Sequence, residues 1–233
     1  MKRRIMFVGD VHGHFSMLHR LIEIEHPDAV VVVGDFGYWY QAGRLLHTYN
    51  GKFDCPVYFV DGNHENHNAL DDLVDQYGND NPIDVGCNVF YIPRGCIFNL
   101  FGYNILGIGG GYSIDRNWRI LDVSWFEQEE LSQKDIDNLK DGHVDIVVSH
   151  TCPFAILDRM TKKIELRHPV NITYSERLLD FVLNKYNPSM WFFGHWHGVG
   201  HFRKNQTKFY LLDMMHRWEV PQPREQYRII KEK

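Results

Sequence analysis

Five apolar runs of strand length, each ending in a short polar cluster fit to ligate a metal, constrain this chain more than any other feature. Ile5 to Val8 leads into Gly9-Asp10-Val11-His12-Gly13, Val30 to Val33 into Gly34-Asp35, and Val57 to Val60 into Asp61-Gly62-Asn63-His64-Glu65. Ile146 to Val148 leads into Ser149-His150, and Trp191 to Phe193 into Gly194-His195-Trp196-His197. The first two runs are continuously apolar rather than alternating, the pattern of parallel strands buried on both faces. Right-handed crossovers between such strands bring their C-terminal ends to one edge. The five endings together predict one site collected from distant parts of the chain.

The 233 residues are enough for one substantial core, and we read a single domain over 1–233, with a polar tail from about 221 packed loosely. A hydrophobic share of 44% and a charged share of 24% exclude neither an enzyme nor a binding module, but they do exclude a disordered chain. The net charge of -5 argues against extended nucleic-acid binding through a broad basic surface. It leaves room for a nuclease, because a metal centre brings its own positive charge. No apolar stretch is long enough to span a bilayer, and the first strand begins too near Met1 for a signal core. Cys55, Cys87, Cys96 and Cys152 form no CxxC pair, so they read as free thiols in a reducing cytoplasm.

Along the chain, Leu18, Leu21, Ile22 and Glu25 have helical spacing and Pro27 closes that helix. A second helix is predicted over 68–77, a short one through Arg44, Leu45 and Tyr49, another from Ser132 to about Leu139, and a clear amphipathic one over Leu178, Leu179, Val182, Leu183 and Tyr186. Val89 to Ile92, Ile97 to Leu100 and Tyr103 to Ile108, bounded by Pro93, Gly95 and Gly102, predict an antiparallel meander. The segment from Thr151 to Thr173 shows little periodicity, and Val199 to Phe202 with Phe209 to Leu212 predicts a hairpin. Lys2-Arg3-Arg4 reads as solvated charge beside the first strand. Two strand-helix-strand halves with an antiparallel insertion predict two packed mixed sheets flanked by helices.

Asp10 and His12 are two apart, as are His195 and His197, so on extended backbone each pair would share a side and serve one ion. Asp35 has two oxygens and can bridge two cations; Asn63 offers an amide oxygen and His150 a nitrogen. A set of Asp, Asn and His without thiolate suits manganese, iron or zinc better than calcium. Two dications less Asp10, Asp35 and a hydroxide leave about one positive charge, which attracts an anion such as a phosphate ester.

In order and spacing, Gly9-Asp10-Val11-His12, Gly34-Asp35, Gly62-Asn63-His64-Glu65, His150 and Gly194-His195-Trp196-His197 resemble the calcineurin-like metallophosphoesterases. The resemblance implies a four-layer α/β/β/α sandwich and hydrolysis of phosphate mono- or diesters by a hydroxide bridging two metal ions. It assigns Asp10, His12, Asp35 and His197 to one ion, and Asp35, Asn63, His150 and His195 to the other. His64 would stand beside the scissile bond and assist the leaving oxygen. Phosphorylated small molecules, nucleotides or phosphoproteins are the substrates it implies, with a nuclease or cyclic-nucleotide diesterase as the main alternative and a metal-free binding scaffold as the weakest.

One departure bears on substrate. Where the phosphoprotein phosphatases continue from the second motif to Asp-Arg-Gly, this chain has Tyr38, Trp39 and Tyr40, which counts against a serine/threonine protein phosphatase. That aromatic triplet reads first as packing beneath a loop and second as a stacking wall for substrate. Arg116 and Arg119, following Gly109-Gly110-Gly111, are candidates to hold phosphate in place of the missing arginine, and Arg159, Lys162, Lys163 and Arg167 are candidates for a basic lid.

Overall fold

A computed structural model describes residues 3–38, 51–164 and 172–223. In chain order the elements are β1 (Arg4–Val8), α1 (Phe15–Glu25), β2 (Ala29–Val32), β3 (Val57–Phe59), α2 (His67–Tyr77), β4 (Ile83–Gly86), β5 (Val89–Tyr91), β6 (Ile97–Leu100) and β7 (Tyr103–Ile108). There follow α3 (Gln133–Asp137), β8 (Ile146–Ser149), α4 (Phe154–Thr161), α5 (Tyr174–Tyr186), β9 (Met190–Phe193), β10 (Gly200–Lys204), β11 (Thr207–Leu211) and β12 (Arg217–Pro221). They form two six-stranded sheets, ordered β12-β1-β2-β3-β5-β4 and β10-β11-β9-β8-β7-β6. In each sheet four central strands run parallel and an antiparallel strand closes either edge.

The continuous apolar runs follow from this layering. In β1, Ile5 and Phe7, with Val31 of β2 beside them, face the opposite sheet and its Ile146, Val148 and Phe192, while Met6 and Val8 face Leu18 and Ile22 of α1. Each side of the strand is therefore buried, and each demands an apolar residue. The Phe7 and Phe192 rings stack at 3.8 Å and join the two sheets directly. Behind the second sheet, Leu179, Val182 and Leu183 of α5 and Ile156 and Met160 of α4 cover Trp191, Phe193 and Phe209. The result is a four-layer α/β/β/α sandwich.

Helix starts follow local chemistry. Asn66 caps α2 by accepting from the Ala69 amide at 3.1 Å, and Thr173 with Glu176 forms a capping box at the start of α5. Among the described residues no helix is long and apolar enough to cross a membrane.

Several expectations need correction. The predicted meander is divided: β5 lies parallel to β3 in the first sheet, whereas β6 and β7 form a hairpin in the second, so the chain changes sheets at the Pro93 to Gly95 turn. α4 lies inside the segment that showed no periodicity, and β4 and β12 were unpredicted. Arg4 is not simply solvated, since it pairs with Glu219 at 3.0 Å and donates to the carbonyl oxygen of His26 at 2.8 Å. The expected helix through Arg44, Leu45 and Tyr49 lies outside the described residues, as do Trp39, Tyr40 and Arg167.

Candidate metal centre

All five strand endings meet at one edge of the two sheets, and they are tied to one another by hydrogen bonds. The amides of Val11 and His12 donate to the Asp35 carbonyl oxygen at 3.0 and 2.6 Å, and the Gly194 amide donates to the His150 carbonyl oxygen at 2.9 Å. The His195 amide lies 3.2 Å from Asp10 Oδ2, and the His64 amide donates to Asp35 Oδ1 at 2.9 Å. Two glycines are set by close approach rather than by turn geometry: a Cβ on Gly62 would collide with Asp35 Oδ1, and one on Gly194 with Asp10 Oδ1. The glycine before one ligand residue thus makes room for a ligand from another ending.

Local backbone corrects the same-side argument. β1 stops at Val8 and β9 at Phe193, and His12, Asp35, His195 and His197 all have positive φ, at 47, 46, 68 and 46°. Left-handed backbone is costly for a residue with a Cβ and persists only when its surroundings enforce it. On such turns the two members of a pair need not share a side. Asp10 and His12 do come together, joined by His197, with ligand atoms within 4.8 Å of one another. His195 turns away to a different group: its Nδ1 is 3.0 Å from Asn63 Oδ1 and 3.2 Å from His150 Nε2.

Asp35 lies between the two groups. One of its oxygens is fixed by the His64 amide, while Oδ2 lies 3.6 Å from His12 Nε2 and 3.4 Å from His150 Nε2. Asp10 also reaches both sides, since it forms a second candidate group with Asp35 and His150. Asp10, Asp35, Asn63 and His150 are buried, whereas His12, His195 and His197 are half-buried, so the imidazoles form the exposed rim.

The donor set fits a cation. His150 Nδ1 lies 3.0 Å from the Val33 carbonyl oxygen and so carries a proton, which directs the Nε2 lone pair of the neutral ring at Asn63 Oδ1, 3.1 Å away, and at Asp35. Three acceptor atoms facing one another call for positive charge between or upon them. Burial drives the Asp10 carboxyl up to about 7, and His150 only partly opposes it. Burial lowers the proton affinity of His150, yet Asp35 and Asp10 outweigh it and push that imidazole up to about 10, so without a cation a second proton takes the Nε2 lone pair that a metal would otherwise use. His12 and His195, driven down by burial to about 4 and about 3, keep neutral rings with a free lone pair. Buried carboxylates, neutral imidazoles and one amide oxygen are ligands for a borderline divalent metal.

His64 stands at the rim next to His12, with ring centroids 5.2 Å apart. Burial first, and the nearby Arg119 cation among its neighbours, lower its pKa, so the ring is neutral near pH 7. Arg119 Nη2 lies 3.2 and 3.0 Å from the two ring nitrogens, and Nη1 donates to the Asn63 carbonyl oxygen at 3.0 Å. A guanidinium only donates, so the ring nitrogen that accepts from it is unprotonated and the other carries the proton. The arginine pair predicted from sequence therefore separates. Arg119 joins the centre, while Arg116 is exposed with its guanidinium 5.0 Å over the Tyr112 ring.

A profile of the calcineurin-like phosphoesterases matches residues 3–199 of this sequence, from β1 through the last histidine pair. The chain belongs to that family. A lariat debranching enzyme of Schizosaccharomyces pombe is 28% identical over 229 residues, covering 83% of this chain and 48% of its own. The chain thus spans about half the length of that curated relative. Among solved structures, the phosphopantetheinyl hydrolase PptH of Mycobacterium tuberculosis superposes with a TM-score of 0.50 at 13% identity over 97% of this chain and 98% of that one. TT1561 of Thermus thermophilus gives a TM-score of 0.50 at 14% identity, covering 93% and 91%. These two likenesses are of fold.

In this calcineurin-like phosphoesterase several residues support the candidate ligands without joining them. Glu65 closes the familiar Gly-Asn-His-Glu, yet its buried carboxylate points away from the ligands and accepts from the amides of Gly37, at 3.0 Å, and Gly62. It pins the second and third endings together. Asp61 also turns from the centre, to a buried pair with Arg94 at 2.6 Å and the Tyr91 hydroxyl at 3.1 Å. Ser113 accepts from Asn63 Nδ2 at 3.0 Å and donates to Glu129, sixteen residues further on. Tyr38 is core, stacked on Phe59 at 5.9 Å. Of the lid candidates, Arg159 is bonded to the Arg203 carbonyl oxygen and Lys162 to Asp158 at 2.7 Å.

Proposed function

We propose that this chain hydrolyses phosphate mono- or diesters at a centre of two metal ions. Asp10, His12, Asp35 and His197 would hold one ion, and Asp35, Asn63, His150 and His195 the other, with manganese, iron or zinc as the metals. When bound, the ions supply a water activated at neutral pH and positive charge for the phosphoryl oxygens. The observation that carries the reading is Asp35, whose Oδ2 faces a histidine of each group at 3.6 and 3.4 Å. A carboxylate so shared is the ligand a paired centre requires.

The chain's own groups complete the chemistry. His64, neutral and holding a single ring proton, gives it to the departing ester oxygen. Arg119 disfavours a second proton on His64 and keeps a fixed cation beside the group that leaves. The buried carboxylates below and the half-buried imidazoles above shape a floor and rim that admit a phosphate ester from solvent.

A nuclease or cyclic-nucleotide phosphodiesterase is the second reading, and the name of the Schizosaccharomyces pombe relative, a lariat debranching enzyme, is what favours it. Phosphorylated small molecules, nucleotides and phosphoproteins remain the substrate classes, and the net charge of -5 disfavours a long nucleic-acid footprint. The four free cysteines support a reducing, cytoplasmic setting.

The test is hydrolysis of an aryl phosphate and of a bis-aryl phosphodiester by metal-stripped protein reloaded in turn with Mn2+, Fe2+ or Zn2+. Activity should be absent in the stripped form and return with about two equivalents of metal. Asp35→Asn should weaken metal binding, and His64→Ala should cut kcat by roughly 100-fold or more with metal still bound. Full activity of stripped protein would end the two-metal reading, and full kcat in His64→Ala would remove the assigned proton donor.

A further inference from the structure

Both parts of the centre, the Asn63 amide and the His64 ring, are held by contacts that lead back to one buried carboxylate with no role in the chemistry above. Glu129 is 1% exposed, and its Oε2 accepts from the Ser113 hydroxyl. That carboxylate is an acceptor, so the hydroxyl proton is committed to it and Ser113 Oγ is left to accept from Asn63 Nδ2, 3.0 Å away. The Asn63 amide then has one orientation, with Oδ1 directed at His150 Nε2 and His195 Nδ1 at 3.1 and 3.0 Å.

The other oxygen serves a second branch. Glu129 Oε1 lies 3.5 Å from Arg119 Nη1 and is the buried partner of a guanidinium whose Nη2 also pairs with the more exposed Asp115 at 2.8 Å and contacts the His64 ring at 3.0 Å. The backbone around Glu129 is itself clamped: Arg94, paired with Asp61, donates to the carbonyl oxygens of Gln128 and Glu130 at 2.7 and 3.2 Å, and the Gly111 amide donates to that of Glu129 at 2.8 Å. Asp61 belongs to the same ending as Asn63 and His64, so the carboxylate is referenced to the very turn it supports.

We infer that Glu129 is a positioning residue shared by the metal ligands and the proton donor: through Ser113 it orients the Asn63 amide, and through Arg119 it seats the guanidinium against His64. This rests on the two-metal phosphoesterase reading. Ligand-orienting partners outside the coordination sphere commonly set metal affinity by about 10-fold or more, and small displacements of a catalytic group cost comparable factors in rate.

The two branches separate by measurement. Mn2+ affinity is read by calorimetry on stripped protein, and kcat and KM are read on an aryl phosphate at saturating Mn2+, with circular dichroism to check folding. Ser113→Ala should raise the Mn2+ Kd about 10-fold. Arg119→Met should lower kcat about 10-fold with Kd within two-fold of wild type. Glu129→Ala should do both, and adding Ser113→Ala to it should worsen Kd no further, because both act on one path. Glu129→Gln keeps the volume and the acceptor for Ser113, and should lower kcat while leaving Kd near wild type.

Wild-type Kd and kcat in Glu129→Ala would overturn the inference, as would full additivity of Glu129→Ala and Ser113→Ala in Kd. If Glu129→Ala does not fold, an unchanged kcat in Glu129→Gln overturns it and a lowered kcat upholds it. Failure of wild-type protein to bind metal would overturn the two-metal reading and this inference with it, whereas wild-type binding and turnover with unmoved variants would overturn this inference alone.

Discussion

At the scale of single residues, burial sets the charge states that decide both chemistry and stability. His67 donates from Nε2 to the Gly62 carbonyl oxygen at 3.0 Å, and its burial lowers its pKa from 6.5 to about 4. The folded protein keeps this ring neutral where the unfolded chain would protonate it, so its contribution is complete above pH 6.5 and is lost as pH falls toward 4. The slope is roughly 1.4 kcal/mol per pH unit for one such group. In stripped protein, urea unfolding measured across that window should show the wild-type stability falling with acid more steeply than that of His67→Asn, by about one proton's worth. Equal slopes would mean that folding does not shift the pKa of His67. His12 and His195 act in the same direction, and His150, raised to about 10, acts in the opposite one. The seven candidate ligand residues were legible in the sequence because glycine or serine punctuates each strand ending. Ser113 and Glu129 were not, because their roles arise from contacts between loop positions that share no periodic or motif spacing.

At the scale of elements, the strands most legible were those buried on both faces, and the elements missed were those whose burial is partial. β12 has a single buried residue, Val220, and α4 begins at Pro153 without a side-chain cap. β4 is interrupted by a bulge between Asp84 and Gly86 inside a turn-rich stretch. Missing β12 mattered, since it covers the free edge of β1, and its Trp218 packs on His201 and Tyr210 of the other sheet at 4.6 and 4.8 Å. Ending the chain after His216 uncovers the backbone groups of β1 and removes burial of Val220 and Trp218, roughly 3 kcal/mol. A drop in Tm of about 6–12 °C is expected by calorimetry, together with concentration-dependent association through the open edge. An unchanged Tm would show that the edge needs no cover.

At the scale of the molecule, the centre straddles the two sheets: Asp10, Asp35 and Asn63 follow strands of the first, and His150, His195 and His197 follow strands of the second. Its geometry is therefore only as exact as the packing between sheets, where Phe7 and Phe192 stack at 3.8 Å. Phe192→Ala should cost about 3–5 kcal/mol of stability. It should also weaken Mn2+ binding measured by calorimetry, although Phe192 is not a ligand. Lost stability with unchanged metal affinity would show that the loops hold the ligands without help from the core. The layered fold itself was readable because its central strands β1, β2, β8 and β9 obey one simple rule, apolar on both faces. The division of the expected meander was not, since three short strands bounded by glycine and proline look alike whether they share a sheet or change sheets.

The left-handed turns at His12, Asp35, His195 and His197 bear on when the centre comes into being. His12 and Asp35, near the start of the chain, are joined by backbone, whereas toward its end the His195 amide leans on the Asp10 side chain and the Gly194 amide on the His150 carbonyl oxygen. During synthesis the early pair has its mutual contacts at once, but the late histidines come only with the last strands. The complete set of candidate ligands is thus among the last things this chain assembles, and under the two-metal proposal a molecule that holds both ions has, by that fact, finished folding.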